Sequence, residues 1–222
     1  MAYRLRDNLY WCVCGGRVIF LDVDEDRYFC LSRAAEAAFV RLADGEAEAG
    51  DREALHALLE RGFLIDDPAS PGLRSARPLE PARRDMLQQP CPPPGVLDVL
   101  GAFAAETRAA WLLRRRPFVQ ILDGVRKDPA HRRRHPRTVG ERLRRIVSAS
   151  MAVSLVLRAS DRCLVRALAV QSTCRRYGID SMLVFGVRMN PFGAHCWVQL
   201  GEMVLVGDYE QVRLFTPIAA LR

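Results

Sequence analysis

Cys163 has the sequence setting of a nucleophilic cysteine. It follows Asp161 and Arg162 and opens an apolar stretch with helical periodicity, so we expect a helix that begins here with Asp161 as its N-cap. The free N–H groups and the dipole at a helix N-terminus favour an anion, and the thiolate is the reactive form of cysteine. The alternative is a cysteine that is only packed in the core.

His195 and Asp208 are the candidate base and its orienting carboxylate. His195 lies in the apolar stretch 191–200, and Gly201-Glu202 separates it from a second apolar run, which predicts a hairpin with a type II′ turn. In a regular register His195 lies directly opposite Asp208, where the carboxylate accepts the imidazole N–H and fixes its tautomer. A core histidine and a strand-end turn residue are the alternatives, and a one-residue slip would turn Asp208 to the other face.

The elements that carry these residues predict an α+β fold. Residues 1–67 form a small domain with a three-stranded sheet and helices, and residues 68–95 are a proline-rich linker draped over the surface. Residues 96–222 are helical at first and then have the period of antiparallel strands. A helix with the cysteine, followed by a sheet with the histidine and the aspartate, is the order of papain-like and transglutaminase-like enzymes.

Local signals divide the N-terminal domain further. Turn residues between short apolar stretches predict three antiparallel strands. A helix capped by Ser32 and ended by Gly45 follows, and then a second helix with Asp51 as its cap and Gly62 at its end.

The composition predicts a cytoplasmic globular protein without a metal or a cofactor. The longest apolar run, near residues 151–157, is too short to cross a bilayer, and the N-terminus has no apolar signal core. The 7 cysteines are therefore expected to be reduced, and they include no pair of C-x-x-C units. His131 and His135 have helical ligand spacing, but Pro136 follows and no third ligand is apparent.

The net charge of +7 is distributed unevenly. Residues 108–145 hold the basic surplus, whereas residues 1–107 are net acidic. Such a cluster can neutralise nucleic-acid phosphates, but no aromatic residue interrupts the basic run 126–138. We therefore expect neither a nucleic-acid nor a membrane partner; a solvated loop, or a docking face for a protein or an acidic peptide, explains the run better.

Residues 139–217 resemble the transglutaminase-like leader peptidase of lasso-peptide biosynthesis. The likeness rests on Cys-Leu-Val-Arg-Ala-Leu-Ala at 163–169, Leu-Val-Phe-Gly-Val at 183–187 and Pro-Phe-Gly-Ala-His-Cys-Trp-Val at 191–198. These stretches cover the predicted helix start and the first strand of the predicted hairpin.

The resemblance implies a cysteine peptidase in which Cys163, His195 and Asp208 are catalytic and no cofactor takes part. It also implies a substrate, the leader region of a lasso precursor, and a partner, an ATP-using cyclase related to asparagine synthetase. Cys196 departs from the alanine that the family often has, and it is expected to face away from the site.

Residues 17–45 and 56–65 resemble a RiPP recognition element, a small winged-helix-like domain that binds the leader peptide as an added strand. The connection between the two predicted helices is short, so the usual middle helix is missing or truncated. The resemblance implies leader contacts at Arg27, Tyr28, Phe29, Leu55, Leu58 and Leu59. Together the two likenesses imply the fused, full-length form of the lasso-peptide B protein family.

Overall fold

The computed structural model describes residues 3–70, 72–73, 79–127, 139–157 and 162–222. Within these ranges the chain forms ten β-strands and eight α-helices, and the expected α+β class is confirmed. None of these helices combines the length and the hydropathy that crossing a membrane requires. His131 and His135, which were weighed as metal ligands, lie outside the described residues.

The N-terminal region begins with β1 (Tyr3–Leu5), β2 (Leu9–Cys14), β3 (Arg17–Asp22) and β4 (Arg27–Cys30). Strands β2, β3 and β4 form an antiparallel sheet in that order, which we call the N-terminal sheet, and they confirm the three predicted strands. Gly15 and Gly16 both have positive φ, as a type I′ hairpin turn requires.

The first predicted helix is confirmed, and the second is broken. Helix α1 (Arg33–Asp44) has Ser32 as its N-cap and left-handed Gly45 as its C-cap. The second region divides at Leu55. It forms α2 (Asp51–Ala54) and α3 (His56–Glu60), followed by β5 (Leu64–Asp66), which pairs with β1.

The prediction that Asp51 caps the second helix is wrong. Gly50 is the N-cap, and Asp51 is the first helical residue. Its carboxylate accepts hydrogen bonds from the Arg41 guanidinium and from the backbone N–H of Glu48, and so it joins α2 to the end of α1.

The N-terminal sheet is buried on both faces. Trp11 and Phe20 pack with Phe39 of α1 in one core, whereas Ile19 and Leu21 pack into a second core that they share with the C-terminal region. A strand covered on both faces has no polar positions to alternate with, which explains the continuous apolar run in β3.

The C-terminal region begins with helices, as predicted. These are α4 (Val96–Arg115), α5 (Phe118–Lys127), α6 (Val139–Val156) and α7 (Cys163–Arg176). The strands and one short helix follow: β7 (Met182–Arg188), β8 (Gly193–Leu200), β9 (Met203–Val206), α8 (Tyr209–Val212) and β10 (Thr216–Leu221).

The predicted linker supplies one strand to the C-terminal sheet. The sheet has the order β10-β7-β8-β9-β6, in which β6 (Arg84–Asp85) runs parallel to β9 and the other pairs are antiparallel. The Gln199 side chain donates hydrogen bonds to the carbonyls of Glu80 and Gly201, which ties the preceding part of the linker to β8. This agrees with a draped segment.

Candidate active site

The start of α7 and the start of β8 lie at the same end of the C-terminal sheet. Only residues 177–181 connect α7 to β7, so the strand runs back along the helix. The 14 residues of α7 and the 7 residues of β7 are matched in length, at about 21 Å and about 23 Å. Strand β7 therefore ends near Cys163, and β8 begins there.

Cys163 is the first residue of α7, as predicted, and it is half-buried. The N-cap position belongs to Arg162, which makes no side-chain capping bond, and the expected cap, Asp161, lies outside the described residues. Cys163 packs against the core between the helices and the sheet. Burial, and then the nearby Cys163 thiol, raise the pKa of the Cys196 thiol.

His195 lies on the other face of β8. Side chains alternate along a strand, and Cys196 joins the helix-side core while Trp197 joins a separate cluster on the opposite face. The His195 ring stacks near Trp197 at 6.3 Å and packs against Phe215 at 5.2 Å between centroids. Cys196 therefore faces away from His195, but it lies in the same core as Cys163, so the expectation that it faces away from the whole site is wrong.

Burial lowers the pKa of His195, and the Asp208 carboxylate acts in the opposite direction and raises it. The buried Nε2 atom of His195 has no hydrogen-bond partner in the structure. The imidazole therefore lies in an apolar site, with one carboxylate near enough to interact with it.

The predicted register between His195 and Asp208 is wrong. Leu200 pairs with Met203 as expected, but Val198 pairs with Val206, because a bulge interrupts the β8–β9 ladder. Asp208 is not part of β9.

Asp208 instead caps α8, where its carboxylate accepts from the N–H of Glu210. It nevertheless comes close to the imidazole, because Gly207 turns the chain across the end of β8. A Cβ atom on Gly207 would lie 3.4 Å from His195 Nε2.

The structure thus brings His195 and Asp208 together, with Cys163 at the same end of the sheet but on its helix side. No hydrogen bond joins the Cys163 thiol to the His195 imidazole in the described part of the chain. Catalytic hydrogen bonds are often long without substrate and shorten in the Michaelis complex. The catalytic assignment of the three residues stays a prediction.

The leader contacts expected on the N-terminal sheet need correction. Phe29 stacks between Phe20 and Phe63 in the first core, and Tyr28 faces the opposite way, towards the C-terminal region. Both side chains are half-buried by these contacts, so each offers only part of its surface to a peptide paired with β4. Arg27 remains exposed, and the described strands leave the outer edge of β4 unpaired.

The second helix also offers fewer leader contacts than the sequence predicts. Leu55 and Leu58 are core residues with 2% and 4% exposure, so neither side chain is open to a docked leader. Leu59 is only partly buried and remains available.

Two aromatic contacts near the site were missed from the sequence. Phe215 packs on His195, and Phe192, which precedes β8, contacts Tyr28 of the N-terminal sheet at 5.7 Å between centroids. Gly207 provides the turn at φ +113°. A glycine directly before the candidate aspartate was a readable signal for that turn, whereas the two aromatic contacts depend on tertiary packing.

Comparison with known families agrees with the arrangement of the C-terminal region. The family model described as the Transglutaminase-like superfamily matches residues 103–220. The chain belongs to this superfamily. Its members are generally cysteine peptidases or acyltransferases. A search of curated proteins and a search of solved structures each found no match.

Proposed function

We propose that the chain is a cysteine peptidase that removes the leader from a lasso-peptide precursor. The observation that carries the proposal is the arrangement in its transglutaminase-like domain. A cysteine begins α7, and a half-buried histidine with a nearby aspartate lies at the same end of the sheet. The stretches at 163–169 and 191–198, which resemble the lasso leader peptidase, form these two parts of the site.

The reaction proceeds through a thioester. Cys163 Sγ attacks the carbonyl carbon before the first core residue, and its proton passes to His195. The imidazolium then gives this proton to the departing amine of the core as the C–N bond breaks. Water, deprotonated by His195, attacks the thioester; the leader leaves with a free carboxylate and the thiol is restored.

Two features of the structure support these roles. The low pKa of His195 keeps its imidazole neutral and able to accept a proton at neutral pH. The first backbone N–H groups of α7 have no partner within the helix, so they are placed to stabilise the oxyanion that forms beside Cys163.

Leader recognition is assigned to the free edge of β4. A leader that adds as a strand pairs through its backbone, so it needs no inward contact from Tyr28 or Phe29, and Arg27 and Leu59 remain as side-chain contacts. Docking raises the effective concentration of the cleavage junction at Cys163. The freed core then passes in the cytoplasm to the asparagine-synthetase-like cyclase.

Two other functions remain candidates on specific observations. The superfamily includes acyltransferases, which would transfer the leader acyl group to an amine instead of water. The separation of Cys163 from the His195 face favours a non-catalytic scaffold that only binds the precursor and presents it to the cyclase.

Mass spectrometry of a lasso precursor peptide incubated with this chain separates the three functions. We expect the wild type to release a leader with a free carboxylate, Cys163→Ala to bind without cleaving, and Cys174→Ala, a control in the same helix, to cleave. An amine adduct supports the transferase. Binding without cleavage by the wild type would rule out the peptidase.

A second measurement of the same proposal needs no substrate. Iodoacetamide reacts with thiolates, so an activated Cys163 should be alkylated faster near neutral pH than the exposed Cys30. The His195→Ala variant should remove this advantage. Slower alkylation of Cys163 than of Cys30 in the wild type would contradict its role as a nucleophile.

A further inference from the structure

The N-terminal sheet contacts the segment that leads into β8. We call residues 187–192, which join the end of β7 to His195's strand, the linking segment. The Cys14 thiol donates a hydrogen bond to the Val187 carbonyl at 3.5 Å. At the other end, the ring of Tyr28 meets the ring of Phe192 edge-on, with 5.7 Å between centroids and 62° between planes.

The β2–β3 turn forms a third contact. A Cβ atom added to Gly15 would lie only 2.9 Å from Cβ of Met189, so the glycine backbone packs directly on the linking segment. Gly16, the next residue of the same turn, has no heavy atom within 4 Å of such a Cβ.

Tyr28 also places β4 against the linking segment. Burial, followed by the nearby Cys196 thiol, the Asp26 carboxylate and the Cys163 thiol, raises the pKa of the Tyr28 hydroxyl. The strand with the free outer edge therefore has its inner side chain against Phe192 of the linking segment. A leader paired with β4 would lie one strand away from this contact.

We propose that the N-terminal sheet positions His195: Cys14, Gly15 and Tyr28 hold the linking segment, which fixes the start of β8. The sheet assigned to leader binding is then a structural part of the catalytic site. The effect on cleavage rests on the proposed function, but the dependence of the His195 position on the sheet does not.

The physical reason is the short path between the contacts and the ring. Phe192 and His195 are three positions apart, so a displaced linking segment moves the imidazole with it. A displacement of about 1 Å at a catalytic group can reduce the rate by roughly 100-fold. Contacts outside the transglutaminase-like region can therefore control the rate without touching the substrate.

The two adjacent glycines of the turn provide a matched test. Gly15 and Gly16 have similar φ, +58° and +71°, so alanine at either position causes similar backbone strain. Only Gly15→Ala also pushes on Met189. We expect Gly15→Ala to lower kcat for precursor cleavage by roughly tenfold or more with leader affinity preserved, and Gly16→Ala to leave kcat within about twofold.

An NMR measurement tests the positioning without any cleavage. The chain has 4 histidines, and His195→Gln identifies which imidazole C–H signal belongs to His195. We expect this signal to shift in Gly15→Ala and to stay in place in Gly16→Ala. If the wild type does not cleave the precursor, only the proposed function is overturned. If the His195 signal does not move in Gly15→Ala, or shifts equally in both variants, the positioning role is overturned.

Variants of Tyr28 cover the case in which Gly15→Ala does not fold. Tyr28→Phe keeps the ring that contacts Phe192, and Tyr28→Ala removes it. We expect the His195 signal and kcat to be preserved in Tyr28→Phe and changed in Tyr28→Ala, with a kcat at least fivefold lower. Equal behaviour of the two variants contradicts a role for the ring contact.

Discussion

The β2–β3 and β8–β9 hairpins have similar turns but different registers. In β2–β3 the pairing is unbroken from Cys14 with Arg17 to Leu9 with Asp22. In β8–β9 it is regular only next to Gly201, and further from the turn the bulge leaves one residue of β9 without a partner on β8. The residue pairs next to both turns are regular, so the difference arises further along the strands and not at the turns.

The cause lies in what each strand has to bury. Strand β9 ends with the apolar residues Val204, Leu205 and Val206; Val204 joins the cluster around Trp197, whereas the next two both join the helix-side core. A bulge places two consecutive side chains on one face, which strict alternation does not allow. The same bulge bends the strand, and Gly207 and Asp208 then cross the end of β8 beside His195.

Replacing the histidine on the irregular hairpin should have the largest effect on cleavage. We expect His195→Ala to lower kcat/KM for precursor cleavage by about a thousandfold or more, because it removes both the proton acceptor and the donor to the leaving amine. Cys196→Ala is the matched control, since the neighbouring side chain faces the helices. Steady-state kinetics should show comparable kcat/KM for Cys196→Ala and wild type; equal losses in the two variants would contradict the face assignment.

The features predicted correctly from the sequence are those with local signals. Ser32 and Gly45 bound α1 through cap interactions within one turn of the helix, and Gly201 sets the first residue pairs of its hairpin. Cys163 begins α7 because the apolar periodicity changes there. In the same way, strand alternation is enough to place Cys196 and His195 on opposite faces.

The features predicted wrongly depend on distant packing. Asp51 has the composition of an N-cap, but its carboxylate is engaged by Arg41 at the end of the preceding helix. The inward turn of Tyr28 requires a second domain against the N-terminal sheet, and no periodicity within β4 reveals it. The position of Asp208 follows from a bulge that lets β9 pack side chains into two different cores. The turn sequence alone therefore cannot predict it.

A substitution at Gly207 should break the irregular end of the β8–β9 hairpin. In Gly207→Ala the new Cβ would lie 2.7 Å from Cβ of Trp197, at a φ of +113° that favours glycine. Strain and overpacking together should lower the free energy of unfolding by about 2–4 kcal/mol, as measured by urea denaturation.

Gly201→Ala in the regular turn is the control for this variant. Its φ is +55° and its nearest contact is a carboxylate oxygen of Glu80 at 3.4 Å, so backbone strain should account for a loss of about 1 kcal/mol. If both alanine variants lose the same free energy of unfolding, close packing of Gly207 beside Trp197 does not hold the bend.

The smallest expected effect is that of the Asp208 charge. Asp208 raises the pKa of His195 against the effect of burial, so Asp208→Asn should lower this pKa further and move the acidic limb of the kcat/KM profile to lower pH. Because the carboxylate makes no hydrogen bond to the imidazole in the described structure, we expect only about a tenfold loss of kcat/KM at neutral pH, less than a directly bonded triad carboxylate would cause. Glu210→Gln, which removes a charge two residues further along the chain, should leave both the limb and the rate in place. A limb that moves to higher pH in Asp208→Asn would mean that the pair is coupled with the opposite sign, and that the bend after β9 does not support the imidazolium.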